Sequence, residues 1–549
     1  MKIEGFLRVA GWVIPALAVV AAGCGPDTTR PIGATPDAGG GGTGGAPVNP
    51  ERRDGGSDTS PAGPAPGADG GAAAPGKPSG FVEKPCTDFR PMPTRMVKCG
   101  TVTVPEARGG ASARTVELAV VVIKSASPTP APDPLLFLQG GPGGGGVDFI
   151  VALAGGAGGP LDAVLAKRDV ISIDQRGTGR SLPSLACPEV NQAAMMPMMP
   201  PAMMMMSPAA EALGRCRTRL TGMGIDLGQY QTNAAADDVE DVRKALGYMT
   251  WNVLGGSYGT RLALEVVRRH PAGVRTLLLD SVSPPDVDLI GESGQNSVRV
   301  LDSAWAICGA QPACAAAYPN LGSVFEQTVA RLNMTPAPLL GGLVPLDGDT
   351  YLQLVLFMLR SPAQTPDLPE IVYQTSQSNY ALLQQKLLGL LQATMGGGAA
   401  GAISMGLHMS VMCADYLPFT SRMNIETKAA AIAPALRTAM LRTGLGYIDN
   451  CRAWNVPASA PAVFQAVQSP VPSLVLAGSM DPATPPRWGQ QAARTLPASH
   501  FLELRGVSHG VFPTPCGSAL LPPFLDAPTQ KPAPACLGTL ADVQFKVQR

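Results

Sequence analysis

Two stretches of the chain could place a serine for nucleophilic chemistry: Gly255-Gly256-Ser257-Tyr258-Gly259 and Gly506-Val507-Ser508-His509-Gly510. In Gly-x-Ser-x-Gly a strand turns into a helix so tightly that only small residues fit beside the serine, and the hydroxyl is held out at the strand end. With 64 glycines in the chain, the bare pattern also arises by chance. Context separates the two. Ser257 follows the apolar run Trp251 to Leu254 and precedes a helical pattern carrying Leu262, Leu264 and Val267. Ser508 is followed by Pro513 and Pro515, which oppose a helix start. Ser257 is therefore the candidate nucleophile.

A serine hydroxyl needs a base to take its proton, and histidine titrates in the right range. The chain offers four: His270, His408, His500 and His509. His270 ends the helix after Ser257, His408 lies in a helical region, and His500 opens an expected strand at its far end. His509 sits just past the carboxyl end of that strand and is the candidate base. Asp481, in Gly478-Ser479-Met480-Asp481-Pro482, follows another expected strand and is the candidate acid that orients the imidazole. The run Gln139 to Gly146 can bring backbone N–H groups close to a developing oxyanion, with Gly141 and Tyr258 as the expected donors.

These residues need a scaffold that gathers strand ends. Apolar runs at Val116–Ile123, Pro134–Gln139, Val170–Asp174, Trp251–Leu254, Val274–Asp280, Ser473–Ala477 and Phe501–Leu504 alternate with helical patterns and glycine turns. That alternation predicts an α/β fold with a mainly parallel sheet, whose sites lie at the carboxyl ends of the strands. Residues 293–332, 349–360, 367–396 and 426–443 read as helices. The expected organisation is a sheet domain in two parts, residues 81–285 and 456–549, split by a helical cap at 286–455.

The 41 basic and 41 acidic residues balance, and aromatic content is 5%, so nucleic-acid binding has no electrostatic or stacking support. Residues 1–24 read as an export signal. The apolar run Val9 to Ala22 is short for a membrane span, and Ala21-Ala22-Gly23-Cys24 resembles a bacterial lipoprotein cleavage box. That resemblance implies lipidation at Cys24 and anchoring to the cell envelope outside the cytoplasm. Residues 25–80, rich in Gly, Pro and Ala, read as a tether. Ten cysteines remain after Cys24; in an exported chain they predict disulfides, with pairing between sequence neighbours the simplest arrangement. Zinc is disfavoured because no Cys-x-x-Cys occurs. Eight methionines within residues 195–206 read as a Pro-broken apolar loop, with Cu(I) binding the competing use.

Gly140-Gly141-Pro142-Gly143, Asp174-Gln175-Arg176-Gly177-Thr178-Gly179, Gly255-Gly256-Ser257-Tyr258-Gly259-Thr260 and Asp481-Pro482-Ala483-Thr484-Pro485-Pro486 occur in that order. Together they resemble the proline iminopeptidase and tripeptidyl aminopeptidase group of α/β-hydrolases over roughly residues 85–540, and the stretch from Pro472 to Cys536 resembles the C-terminal region of the secreted tripeptidyl branch. The resemblance implies the α/β-hydrolase fold, no metal or cofactor, and cleavage of peptide substrates at a free N-terminus through an acyl-enzyme. It also implies a cap acid that binds the substrate ammonium. Glu292, Asp302 and Asp415 are available; Asp415 is the choice among them for that role, and an ordinary cap salt bridge is its more expected use. Gln139 stands where proline iminopeptidases usually carry His, which weakens prolyl specificity. Arg176 reads as a buried partner for a carboxylate. The rivals are an esterase on the same scaffold and a non-catalytic surface lipoprotein that binds a ligand or Cu(I).

Overall fold

A computed structural model of the protein describes residues 78–86, 95–109, 113–155, 158–190, 208–342, 344–396 and 403–547. Cys24, the signal segment, most of the tether and the methionine-rich loop lie outside the described residues.

One sheet carries nine described strands in the order β1-β2-β3-β5-β4-β6-β7-β10-β11. They are β1 (Val82–Lys84), β2 (Val97–Pro105), β3 (Thr115–Ile123), β4 (Leu135–Leu138), β5 (Val170–Ile173), β6 (Trp251–Gly256), β7 (Val274–Asp280), β10 (Ser473–Gly478) and β11 (Ser499–Leu504). From β5 through β4 and β6 to β11 every pairing is parallel, while β1, β2 and β3 join antiparallel. A small hairpin, β8 (Ala337–Leu339) and β9 (Val344–Leu346), stands apart. The structure thus has the expected α/β architecture. It adds β1 and β2, which sequence reading did not assign.

Alternation along the strands explains the two covered faces. Val120, Val122, Leu136, Leu277, Leu279 and Val475 point into one core, and Val121, Leu135, Phe137, Leu278, Leu474 and Leu476 into the other. Side chains with a period of two must divide this way, and a mainly parallel sheet needs helices on both sides. Before β7 these include α1 (Gly146–Ala154), α2 (Pro208–Gly222), α3 (Thr232–Ala245) and α4 (Tyr258–Arg269).

Between β7 and β10 the chain is largely helical: α5 (Leu289–Ala310), α6 (Leu321–Met334), α7 (Gly348–Leu359), α8 (Leu368–Ser376), α9 (Ala381–Gly396), α10 (Met405–Val411), α11 (Arg422–Ala429) and α12 (Pro434–Trp454). This insertion has its own core, built around Phe325, Tyr351 and Leu352. The expected helix at 293–332 is broken, because Pro312 starts a short separate helix and Cys308 is bonded to Cys314. After β10 come α13 (Pro486–Ala493) and α14 (Pro515–Asp526). The ten cysteines pair as sequence neighbours: Cys86–Cys99, Cys187–Cys216, Cys308–Cys314, Cys413–Cys451 and Cys516–Cys536. Among the described residues no helix is long and apolar enough to cross a membrane.

Candidate active site

Ser257 lies between β6 and α4 with φ 54° and ψ −122°, a backbone conformation that L residues avoid. Such strain costs about 1–3 kcal/mol and persists only where neighbours impose it. Here Ser257 N–H donates to the Asp280 carbonyl at 2.9 Å, and the Ser257 carbonyl accepts from Thr260 N–H at 2.9 Å. The flanking glycines are required by space: a Cβ on Gly255 would lie 2.2 Å from the Gly259 carbonyl oxygen, and one on Gly259 would lie 2.1 Å from that of Leu138. Ser257 remains partly exposed. Tyr258 opens α4, so its N–H is one of the helix-start donors with no intrahelical acceptor.

The acid and base come from the ends of β10 and β11, which pair Gly478 with Leu504 at their carboxyl termini. His509 Nδ1 lies 2.9 Å from Asp481 Oδ2. Asp481 is fully buried and also accepts from Ala483 N–H, Thr484 N–H and Thr484 Oγ1 at 2.8, 2.9 and 2.7 Å. Burial raises its carboxyl, but the His509 charge and these donors outweigh burial and hold it below the usual carboxylate value. For His509 burial works downward, and the Asp481 charge and hydrogen bond overcome it, so its imidazole sits above the ordinary 6.5.

Asp280 joins the two halves of this site. Its carbonyl holds the Ser257 turn, and its buried carboxylate accepts Val511 and Phe512 N–H at 2.8 Å each. Ser281 Oγ accepts Gly510 N–H at 2.9 Å. The His509 loop is therefore moored to the end of β7, beside the Ser257 turn. Among the described residues Ser257 Oγ makes no hydrogen bond to His509; catalytic contacts of this kind often tighten only around a bound substrate.

The glycine loop after β4 completes the rim. A Cβ on Gly140 would lie 2.8 Å from Ser257 Cβ and 3.4 Å from its Oγ, so this backbone lies against the candidate nucleophile. Gly141 follows with φ +121°. The insertion grips the loop: Ser404 N–H donates to the Gly143 carbonyl at 2.8 Å, and half-buried His408 has Nδ1 3.1 Å from the Pro142 carbonyl and Nε2 3.2 Å from Tyr447 OH. Burial lowers the His408 pKa, so the neutral ring is favoured. Beneath the loop, Asp174 accepts Val147 and Arg180 N–H at 2.9 and 2.8 Å.

The other sequence candidates take structural places. Asp415 is fully buried, and its carboxylate is bonded by Thr232 N–H at 2.9 Å and by the hydroxyls of Thr232 and Ser459. Both oxygens are occupied, which corrects its expected role as receptor for a substrate ammonium. Arg176, fully buried, pairs with Asp238 through Nε and Nη2 at 2.7 Å each. Ser508 donates to the Leu359 carbonyl at 2.6 Å, so the second glycine–serine match is a packing contact. His270 binds Asp237 at 2.7 Å. Sequence reading missed Thr484 and Asp280; each is the polar residue that ends a strand or turn beside a candidate, and that position was their only signal. For metals, the one group of possible ligands among the described residues is Cys187, Glu189 and Cys216, whose thiols form a disulfide and whose carboxylate binds Arg219.

Residues 133–297 match the alpha/beta hydrolase fold family, and residues 440–536 match the family described as TAP-like protein. The tripeptidyl aminopeptidase of Streptomyces lividans is 30% identical over 205 residues, which is 35% of this chain and 37% of that protein. The chain thus spans little more than a third of that relative's length. The serine protease Hip1 of Mycobacterium tuberculosis is 26% identical over 420 residues, 69% of this chain and 75% of that protein. Carboxylesterase B of Mycobacterium tuberculosis is 26% identical over 457 residues, 76% of this chain and 81% of that protein. With its mainly parallel sheet, its serine turn and the match at residues 133–297, the chain has the α/β-hydrolase fold, and residues 440–536 are similar to the TAP-like family.

Proposed function

We propose that the protein is a serine hydrolase acting by acyl transfer, with peptides bearing a free N-terminus as substrates. The observation that carries this is the strained Ser257 turn standing on the same sheet rim as the partly exposed His509 and its buried partner Asp481. Ser257 Oγ adds to the substrate carbonyl carbon while its proton passes to His509 Nε2. The Gly141 and Tyr258 N–H groups hold the oxyanion, as preorganised donors do in such reactions. The tetrahedral adduct then collapses, and the leaving amine departs with the proton from His509. Water, deprotonated by the same imidazole, releases the acyl group and restores Ser257. Asp481 fixes the ring tautomer and stabilises the imidazolium.

The peptidase assignment draws on the names of the Streptomyces and Hip1 relatives and on the TAP-like segment. An esterase is the second reading, because the carboxylesterase relative matches over more of the chain. The five disulfides support an oxidising compartment and thus export, and anchoring through a lipid on Cys24 belongs to the same proposal. A fluorophosphonate probe should label the protein and fail on Ser257→Ala, whose circular dichroism stays unchanged. Equal labelling of that variant overturns the nucleophile assignment. Aminoacyl, dipeptidyl and tripeptidyl nitroanilides with free and acetylated amines, beside simple esters, separate the two substrate classes. Turnover confined to free-amine peptides supports the aminopeptidase. Cys24→Ser should move the protein from the membrane to the soluble fraction.

A further inference from the structure

Arg360 closes α7, directly after Met358 and Leu359, which are fully buried. Its place is fixed by the candidate site: Ser508, the neighbour of His509, donates to the Leu359 carbonyl at 2.6 Å. The helix end is pinned on the side of the insertion that meets the His509 loop. Unlike its two neighbours, Arg360 is exposed. Burial nevertheless depresses its guanidinium below the ordinary value, and the Asp481 and Tyr447 charges work against that. The Arg360 charge acts in turn on His509. An exposed side chain whose preceding residue is bonded to the neighbour of His509 stands beside the site.

Among the described residues the Arg360 guanidinium has neither a hydrogen bond nor an ion pair. Other arginines around the rim are occupied: Arg299 donates to the Asp481 carbonyl at 2.6 Å, and Arg487 to Glu292 at 2.7 Å. The carboxylates that act on His509 are occupied too, Asp481 by His509 and Thr484, and Asp280 by two backbone N–H groups. An unpartnered arginine fork gains most from a planar anion that it can bind through two parallel hydrogen bonds. Leaving it empty forfeits that gain, and among the described residues no side chain of the rim supplies the anion.

We propose that Arg360 is a specificity-determining residue that binds a carboxylate carried by the substrate near its reacting carbonyl. The site then selects short peptides, or acyl compounds, that present an anion on the Arg360 side. The carboxylate comes either from a free C-terminus or from an acidic side chain. This inference rests on the reading of Ser257 as nucleophile for the word substrate, and its test does not need turnover. The full chain carrying Ser257→Ala is titrated calorimetrically with tetrapeptide acids, the matching C-terminal amides, and amides containing Asp or Asn at one position. Peptides bearing a carboxylate should bind at least tenfold tighter than their neutral partners. The C-terminal and side-chain arms identify which carboxylate is used. Adding Arg360→Gln should erase the preference, and adding Arg360→Lys should retain part of it. Equal affinity for charged and neutral peptides, or a preference that survives Arg360→Gln, overturns the proposal. If either double variant fails to fold, the same peptides used as protectants against fluorophosphonate labelling of the single Arg360 variants decide the point. Loss of labelling by Ser257→Ala is read separately, so failure of the nucleophile assignment stays distinct from failure of this one.

Discussion

Arg299 reaches from α5 to the backbone carbonyl of Asp481, with Nη2 donating at 2.6 Å. The insertion therefore holds the loop that carries the candidate acid, and the site is built from both halves of the molecule. Arg299→Ala leaves that carbonyl without its donor. The expected loss is about 1–3 kcal/mol of stability. Urea unfolding measures it, and kcat should fall more than KM rises, because the acid is misplaced while the substrate cleft is untouched.

The His509 imidazole is raised above 6.5 by Asp481 against the opposing effect of burial. Turnover needs the neutral ring, so the acid limb of kcat/KM should lie above 6.5. The His509 contribution to stability follows the same sign: it is complete below the unfolded histidine value and is lost as pH rises through the folded one, whereas that of Asp481, held low, is lost as pH falls through its folded value. Asp481→Asn removes the raising charge and leaves burial, so the limb should move to lower pH. It should also lower kcat by about ten-thousand-fold, through the wrong tautomer. A pH–rate profile of both proteins checks the two effects together, and an unmoved limb would count against the pair as the titrating unit.

Gly140→Ala places a methyl 2.8 Å from both Ser257 Cβ and the Gly256 carbonyl oxygen. Neither can retreat, because the Ser257 turn is anchored to Asp280. Fluorophosphonate labelling of the folded protein should slow by about a hundredfold, the scale on which small misplacements act, with a loss of about 1–3 kcal/mol of stability from the overpacking. Gly158→Ala, where a Cβ meets nothing within 4 Å but the backbone has φ +80°, serves as the control for glycine strain remote from the serine.

Arg176, on the loop after β5, and Asp238, in α3, form a buried pair. Removing Arg176 leaves the buried Asp238 carboxylate with Arg108 as its remaining cation and takes the donor from the Glu106 and Gln229 carbonyls. Arg176→Met should cost about 3–5 kcal/mol. Differential scanning calorimetry gives the loss directly, and labelling of whatever fraction stays folded should persist, since neither residue touches the serine.

Cys413 and Cys451 tie the turn carrying Asp415 to α12 across 38 residues. Replacing both by Ser should cost about 2–4 kcal/mol. Asp415→Asn should also destabilise the protein, because its carboxylate accepts from Thr232 and Ser459 inside the core. If Asp415→Asn instead kept full stability and raised KM only for free-amine peptides, the carboxylate would be a substrate receptor after all.

The sequence by itself determined the α/β architecture and marked Ser257, Asp481 and His509 for chemistry. That information is local: a strand that must turn sharply into a helix needs glycines beside its serine, and apolar runs of strand length end where polar site residues begin. It did not reveal β1 and β2. Val97 to Val104 mixes Lys98, Gly100 and two threonines into its apolar pattern, and the segment becomes a strand by pairing with β3 at long range. Which carboxylates were free was equally non-local. Asp415 looked available in the expected cap, and only the arrival of Thr232 and Ser459 from distant segments consumed both its oxygens. Arg360 gave the opposite outcome, an ordinary helix-ending arginine that packing left beside the acid–base pair without a partner among the described residues. Side-chain type and turn geometry are written along the chain, whereas burial and pairing depend on what other segments bring, and only the tertiary structure decides that.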